Sequence, residues 1–564
     1  MARYKYKVRT QVKEELEPEE ILLDSEEKRK GEKGRLEVPI KDTVFFIILI
    51  LISLLCGSLF VRGFYLISIR GKELKAEATD NYLKIIYTEA PRGIIYSRDN
   101  IPLVENLETE NEEKKSFSRH YLDSLYFSPI IGYTREATKE EIESDSSYYR
   151  LGDWIGKNGL EKEYEKYLRG GKGMREEIIN AKGRILSDEL KRESVQGNNL
   201  VLNIDAELQK RLYDEIKKRA GGKNAAAIAL NPQNGNILAL VSFPSDDNNV
   251  FSQRLSKEEL KKLEKERKIN NPNWALSGFY PSGSTIKPLI AAAALEEEVV
   301  TPRTKINCRG RVLIPNPYGP PTSKKDWKTH GITDLNKAIA ESCNVYFFTV
   351  GGGYGDIKGL GISRIKKYLD LFYIEKELAI DLPGEKVGFV PTPEWFKKKR
   401  EFVEKRYWSI ADVYDVSIGQ GYFSTTPLHL AVALSSIANG GKIYQPQIVD
   451  KIINSDKKTI LDLEPKILRE NFIKEENIEA VREGMRECVL RGSCRQFLSL
   501  PVSSAGKTGT AESSGNREPH AWFVSFAPYE KPKILLLVMI EHGGSGEKVA
   551  APIAKEVLKW YFTR

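Results

Sequence analysis

The sequence has no block of basic residues, although its formal net charge is +8. Its 87 lysines and arginines are interspersed with 79 acidic residues, which argues against a nucleic-acid-binding protein. It also has no phosphate loop: Gly506-Lys507-Thr508 resembles the end of one, but Pro501 stands where the first glycine belongs. The glycine-rich segment Gly351–Gly355 has no preceding strand, so it does not indicate a dinucleotide site. Cysteine is scarce as well, with five in 564 residues.

One long apolar run stands near the N-terminus of a chain that is long enough for more than one domain. Residues 1–42 mix acidic and basic side chains densely, which predicts a solvated, disordered tail. The run from Thr43 to Val61 carries no charge, and as a helix it would be about 28 Å long, close to the thickness of a bilayer core. We therefore predict one transmembrane helix over residues 43–62. A cleaved signal peptide is the alternative, but the polar segment before the run is too long for one.

The segment Tyr280-Pro281-Ser282-Gly283-Ser284-Thr285-Ile286-Lys287-Pro288 precedes an apolar run that predicts a buried helix. Pro288 is tolerated only in the first turn of that helix, so Ser284 and Lys287 lie at its N-terminus, one turn apart and on one face. This placement suits acyl transfer, because the helix dipole favours a developing oxyanion and the amine can accept the serine proton. For this, burial or a second cation must lower the pKa of Lys287.

Two further motifs follow in chain order, Ser342-Cys343-Asn344 and Lys507-Thr508-Gly509. Ser-x-x-Lys, Ser-x-Asn and Lys-Thr-Gly in this order are typical of serine acyltransferases that recognise penicillin. Ser342 can pass a proton to the leaving amine, and Asn344 can hold the substrate amide. Lys507 supplies a cation that lowers the pKa of Lys287 and attracts the substrate carboxylate.

The remaining substrate contacts are predicted on the segment that begins with Lys507. The hydroxyls of Thr508 and Thr510 can bind the carboxylate, and Gly509 leaves room for the substrate backbone along a strand. The backbone N–H groups of Ser284 and Thr510 are the expected oxyanion hole.

The chain resembles the class B penicillin-binding proteins, and within them the elongation-type transpeptidases. Beyond the three motifs, the resemblance includes these segments: Ala90–Tyr96, Gly159–Glu161, Leu168–Gly170, Val201–Asp205, Asn231–Ala239, Asp381–Glu385, Ser417–Gly421, Thr426-Pro427 and His520–Phe523. The resemblance implies an α/β (α+β) transpeptidase fold with an antiparallel sheet flanked by helices over residues 221–564. It also implies an N-terminal pedestal of the dimerisation type over residues 63–220. Within this pedestal Arg92 and Arg169 would be site candidates in isolation, but we expect them to form structural ion pairs.

By the same resemblance, the function is cross-linking of peptidoglycan stem peptides through a serine acyl-enzyme, with release of the terminal D-alanine, for cell elongation and rod shape. The enzyme class is the serine-type D-Ala-D-Ala transpeptidase and carboxypeptidase, and β-lactams are the expected inhibitors. The implied partner is a polytopic glycosyltransferase of the shape, elongation, division and sporulation family. Basic residues flank the apolar run on both sides, so charge favours a cytoplasmic N-terminus only modestly. The motifs decide the orientation: a single-pass protein of the cell inner membrane with its catalytic domain in the periplasm, where peptidoglycan lies.

Three other functions stay open at this point. A class A β-lactamase shares the three motifs but needs a deacylating glutamate with an asparagine nearby, and no asparagine occurs between Asn344 and Asn439. A scaffold that only activates a glycosyltransferase would not need the five catalytic candidates Ser284, Lys287, Ser342, Asn344 and Lys507. A division-type transpeptidase would carry the same residues.

Four cysteines lie outside the apolar run. Cys308, Asp326, His330 and Cys343 form a plausible four-ligand set for a structural Zn²⁺ beside the Ser-x-Asn motif, and many elongation-type relatives carry such a set. Here the interval from Asp326 to His330 is shorter than the usual family pattern. The alternatives are a Cys308–Cys343 disulfide and a buried free thiol. Cys488 and Cys494 are close in sequence and can pair with each other outside the cytosol.

Overall fold

The computed structural model describes residues 42–75, 83–111, 114–179, 185–253, 256–265, 272–315, 320–399, 407–513 and 515–564. The predicted tail over residues 1–42 lies outside these residues except for Asp42. The chain divides into two compact units, one of Met1–Lys84 with Glu177–Ser187 and one of Ile85–Glu176 with Asp188–Arg564.

The first unit contains a helix of 27 residues, Asp42–Ser68, which is long and apolar enough to cross a membrane. The predicted span 43–62 lies within it. Its large apolar side chains are exposed, for example Phe46 at 65% and Phe60 at 83%, as expected for a helix that is solvated by lipid.

The second unit is built around an antiparallel sheet of five strands, in the order Ile237–Phe243, Ala225–Leu230, Ile534–Ile540, His520–Ala527 and Ala505–Ala511. Side chains alternate between its two faces. Ala226 and Ile228 pack into one apolar cluster with the helix Lys287–Glu296, and Ala225 and Ala227 into another with the helices Ala206–Arg219 and Ala551–Tyr561. The predicted α/β (α+β) architecture, an antiparallel sheet flanked by helices, is confirmed.

Smaller elements complete the unit. The other helices are Ser124–Ile131, Lys139–Ser144, Gly159–Glu163, Glu165–Leu168, Asn248–Phe251, Lys257–Lys265, Trp274–Ser277, Leu335–Ala340, Asn344–Gly352, Gly361–Leu371, Pro393–Lys398, Ile410–Ser417, Pro427–Ala438 and Glu475–Leu490, with 3₁₀ turns at Gly283–Ile286 and Arg495–Ser499 and a π turn at Gly546–Ala550. The other strands of the chain are Leu83–Thr88, Ile95–Tyr96, Val104–Asn111, Lys114–Tyr121, Thr134–Glu136, Trp154–Gly156, Gly173–Ile179, Ile185–Arg192, Asn199–Leu202, Ile306–Cys308, Arg311–Ile314, Thr322–Lys325, Gly331–Thr333, Ile443–Tyr444, Val449–Ile453, Thr459–Asp462 and Ile467–Arg469.

Ion pairs, of which those of Glu161 are buried, join elements that precede the central sheet. Arg92 lies 2.7 Å from a carboxylate oxygen of Glu161 and 2.8 Å from one of Glu165. Arg119 lies 2.7 Å from the other oxygen of Glu161, whose side chain is fully buried. Arg169 forms an ion pair with Asp145 at 2.7 Å and stacks on Tyr148. Arg92 and Arg169 are therefore structural, as predicted.

Candidate active site

The serine motif lies where a 3₁₀ turn, Gly283–Ile286, continues directly into the helix Lys287–Glu296. Pro288 is in the first turn of that helix, and the apolar run from Leu289 to Leu295 is buried, as predicted. Lys287 is itself fully buried, whereas Ser284 is half-buried.

The Lys287 ammonium group connects the first motif to the second. Its Nζ donates to the backbone carbonyl of Ser342 at 2.8 Å and lies 3.3 Å from the Ser342 hydroxyl. It also donates to Oδ1 of Asn344 at 2.6 Å. Because Oδ1 is engaged in this way, the amide NH₂ group of Asn344 is the part of its side chain that can donate to a substrate carbonyl.

Burial is the main cause that lowers the pKa of Lys287, to about 8, while the nearby carboxylate of Asp326 and the thiols of Cys343 and Cys308 oppose the shift. Burial and the charge of Lys287 hold the pKa of Lys507 well below its usual range, so the lowered pKa of Lys287 comes from burial and not, as predicted, from the charge of Lys507. At neutral pH a useful fraction of the Lys287 amine is therefore unprotonated and able to accept a proton.

Ser342 occupies a strained turn between the helices Leu335–Ala340 and Asn344–Gly352. Its φ is +60°, which non-glycine residues rarely adopt and which is often found at functional sites. The next helix is held at its start by Asp326, whose Oδ2 accepts a hydrogen bond from the Val345 N–H at 2.9 Å. The turn thus points the Ser342 side chain towards Lys287.

The third motif lies on Ala505–Ala511, which is an edge strand of the central sheet and packs against the serine turn. A Cβ added at Gly283 would lie 2.6 Å from the carbonyl oxygen of Thr510, and one added at Gly509 would lie 2.8 Å from the Thr285 methyl group. Gly509 therefore gives room to the serine turn. An edge strand also offers unpaired backbone groups along which an extended peptide can add.

The two threonines of this strand differ in exposure. Thr510 is exposed, and its carbonyl oxygen accepts from Nε2 of Gln420 at 3.4 Å. Thr508 is 8% exposed, and its hydroxyl contacts Ser493. Neither Gln420 nor Ser493 was assigned a role from the sequence. Gln420 lies in the segment Ser417–Gly421 on which the family resemblance partly rests, so a signal for it existed.

The structure brings together the side chains of three of the four candidate metal ligands. The ligand atoms of Asp326, His330 and Cys343 all lie within 4.8 Å of one another. Cys308 is not one of these three, but Cys343 lies close enough to lower the pKa of Cys308, while burial raises the pKa of Cys343. Both cysteines are free thiols, and Cys488 is bonded to Cys494.

Comparison with known proteins agrees with this geometry. A family model for the penicillin-binding protein transpeptidase domain matches residues 225–559, and one for the penicillin-binding protein dimerisation domain matches residues 112–202. The peptidoglycan D,D-transpeptidase MrdA of Haemophilus influenzae is 33% identical over 529 residues, covering 86% of this chain and 77% of that protein. MrdA of Escherichia coli is 29% identical, covering 78% of this chain and 70% of that protein.

Two solved structures show the same fold. PBP2 of Pseudomonas aeruginosa in complex with WCK 5153 has a TM-score of 0.70 and 29% identity, covering 85% of this chain and 97% of that one. PBP2 of Helicobacter pylori in complex with MreC has a TM-score of 0.71 and 24% identity, covering 85% and 99%. The transpeptidase model alone spans more than half of the chain, and the MrdA relatives extend the match over most of its length. The chain belongs to the class B penicillin-binding proteins.

Proposed function

We propose that this protein is the elongation-type peptidoglycan D,D-transpeptidase of its cell, and that Ser284 is its nucleophile. The observation that carries the proposal is the position of Lys287, which is buried, has a lowered pKa and contacts Ser342 and Asn344. A neutral amine one helical turn from a half-buried serine is what activation of that serine requires.

The reaction proceeds in two steps. The Ser284 Oγ attacks the carbonyl carbon of the penultimate D-alanine, and its proton moves to Nζ of Lys287. The backbone N–H groups of Ser284 and Thr510 hold the oxyanion, and Thr508, Thr510 and Lys507 bind the terminal carboxylate. Ser342 then passes its proton to the leaving D-alanine nitrogen as the C–N bond breaks, and it takes in return the proton held by Lys287, whose Nζ lies 3.3 Å from its hydroxyl. In the second step an acceptor amine attacks the acyl-enzyme, gives up its proton along the same path, and regenerates Ser284.

Labelling with a fluorescent penicillin tests the assignment. We expect stoichiometric labelling of the wild type and no labelling of Ser284→Ala. The label should be lost slowly, because no asparagine that could belong to a deacylating pair lies between Asn344 and Asn439. Rapid turnover of penicillin would support a β-lactamase instead. Labelling without cross-linking of stem peptides by the full-length protein would support a scaffold role.

The cellular role is tested by depletion. Loss of rod shape with intact septation is the expected result, and blocked septation with intact elongation would replace the proposal with a division-type one. The exposed apolar helix Asp42–Ser68 supports a single-pass anchor in the cell inner membrane. We place the N-terminus in the cytoplasm and the catalytic unit in the periplasm, with a polytopic SEDS-type glycosyltransferase as the membrane partner.

A structural Zn²⁺ is part of the proposal. Nδ1 of His330 lies 2.9 Å from a carboxylate oxygen of Glu341, which can only accept, so Nδ1 is the donor and, in the neutral ring, Nε2 carries the lone pair. Within the part of the chain that the structure describes, that buried Nε2 has no hydrogen-bond partner. It lies 3.5 Å from Oδ1 of Asp326, so with a neutral ring two acceptors face each other. A cation between them would satisfy both, and a carboxylate on the other ring nitrogen is the usual support of a zinc-binding histidine.

Cys308, Asp326, His330 and Cys343 would hold the ion. When bound, it would fix the start of the helix Asn344–Gly352 and, with four protein ligands, would not activate water. Metal analysis of the purified protein tests this: one zinc per wild-type chain and loss in Cys343→Ser are expected. No zinc in the wild type, or a mass that shows Cys308 bonded to Cys343, would reject the site.

A further inference from the structure

A disulfide closes a short loop next to the Lys507 strand. Cys488 lies in the last turn of the helix Glu475–Leu490, and its bond to Cys494, six residues later, ties the following turn back to that helix. Both cysteines are fully buried in the apolar cluster beneath the sheet. The loop between them therefore has few conformations available.

This loop contacts elements of two catalytic motifs. The Ser493 hydroxyl lies 2.7 Å from the Thr508 hydroxyl and 3.4 Å from Sγ of Cys488. The Ser493 N–H donates to the carbonyl of Ala340 at 3.2 Å, at the end of the helix that precedes Ser342. A Cβ added at Gly492 would lie 2.1 Å from the same carbonyl oxygen, so the loop is packed tightly there.

The substrate would decide which of the two hydroxyls, Ser493 or Thr508, donates in the hydrogen bond between them. A hydroxyl has one proton to donate, and a carboxylate can only accept. If Thr508 donates its proton to the substrate carboxylate, Ser493 must be the donor to Thr508. Its hydrogen bond would then fix the Thr508 rotamer and leave the Thr508 proton for the substrate.

We propose that Ser493, held in the disulfide loop Cys488–Cys494, is a positioning residue that orients the Thr508 hydroxyl towards the carboxylate of the acyl donor. This inference rests on the proposed function and names a residue that acts through another. It also assigns a role to the disulfide, because a loop closed over six residues holds Ser493 against the strand that carries Thr508. A purely structural serine would affect all substrates equally, whereas this one affects those that carry the carboxylate.

The test compares acylation of the full-length protein by benzylpenicillin with acylation by its methyl ester, which lacks the negative charge. In Ser493→Ala we expect the rate with benzylpenicillin to fall roughly three- to tenfold, the value of one hydrogen bond, and the rate with the ester to change less than about twofold. Ser493→Thr keeps a hydroxyl and should restore the rate. Ser499→Ala is the matched control, because its exposed hydroxyl donates to the backbone carbonyl of Gln496 at 3.1 Å.

A double-mutant cycle with Thr508→Val isolates the interaction between the Ser493 and Thr508 hydroxyls. In the Thr508→Val background, Ser493→Ala should have no further effect on benzylpenicillin. An equal loss with both antibiotics, no loss with either, or an undiminished effect in the Thr508→Val background would overturn the inference. If Ser493→Ala does not fold, Ser493→Gly takes its place under the same criteria. Failure of the wild type to be acylated at Ser284 would reject the proposed function instead, so the two failures are distinct.

Discussion

Replacing Asn344 with aspartate should shift the pH dependence of acylation, because the new carboxylate would lie next to Lys287. The Asn344 Oδ1 is 2.6 Å from Nζ of Lys287, in a site where the lysine is fully buried. An opposite charge at that distance favours the protonated amine and raises its pKa by about one to three units. Acylation needs the neutral amine, so activity should appear only at higher pH.

The magnitude follows from the pKa of about 8 in the wild type. At pH 7.5 roughly a quarter of the amine is neutral, and a rise of one unit would reduce that fraction about eightfold and a rise of two units about 75-fold. The direction of the effect on the acylation rate is fixed, because at any given pH a higher pKa of Lys287 means a smaller neutral fraction of its amine.

The assay is the second-order rate of labelling by fluorescent penicillin between about pH 6 and pH 10, which reports the pKa of the free enzyme. The wild-type rate should rise with pH to a plateau with a midpoint near 8. Asn344→Leu is the control: it also loses the amide but adds no charge, so its rate falls while its midpoint stays at or below that of the wild type. A flat wild-type profile, or an equal upward shift of the midpoint in both variants, would refute the role of Lys287 as the base.

Two further predictions concern packing. Glu161→Gln should lower the free energy of unfolding by about 3–5 kcal/mol, because Glu161 is fully buried between two arginines, whereas the exposed Glu143→Gln should change it by less than about 0.5 kcal/mol in the same denaturant titration. A small change in the free energy of unfolding for Glu161→Gln would mean that water already solvates Glu161 and its two arginines. Gly509→Ala should push the Lys507 strand away from the Thr285 methyl group and reduce the rate of penicillin acylation at least about tenfold. Gly171→Ala is the control, because its added Cβ would make only an ordinary van der Waals contact and should leave the rate unchanged. Unchanged labelling of Gly509→Ala would contradict the close packing.

Much of the fold was predictable because it follows from local pattern. The charge-free run from Thr43 predicted the helix Asp42–Ser68, and the apolar residues after Pro288 predicted the buried helix that carries Lys287. These features depend on neighbours within a few residues, which the sequence shows directly.

The arrangement of the site depended on tertiary structure. Sequence order showed that the three motifs belong together, but the contact of Lys287 with Asn344 joins residues 57 positions apart. Likewise, the sequence indicated Asp326 as a metal ligand, and only the fold showed that its carboxylate also accepts the Val345 N–H. Ser493 carried no signal at all, because its role comes from a loop that folds back onto a strand formed later in the chain.

The sequence by itself therefore determined the chemistry of this protein: which residues can attack, accept a proton and bind a carboxylate, and that a helix long and apolar enough to span a membrane precedes them. Only the tertiary structure decided which of these groups are buried and what each one contacts. The physical reason is that the pKa of Lys287 and the rotamer of Thr508 depend on desolvation and on hydrogen bonds from distant segments. Those interactions exist only after the central sheet and its helices have packed.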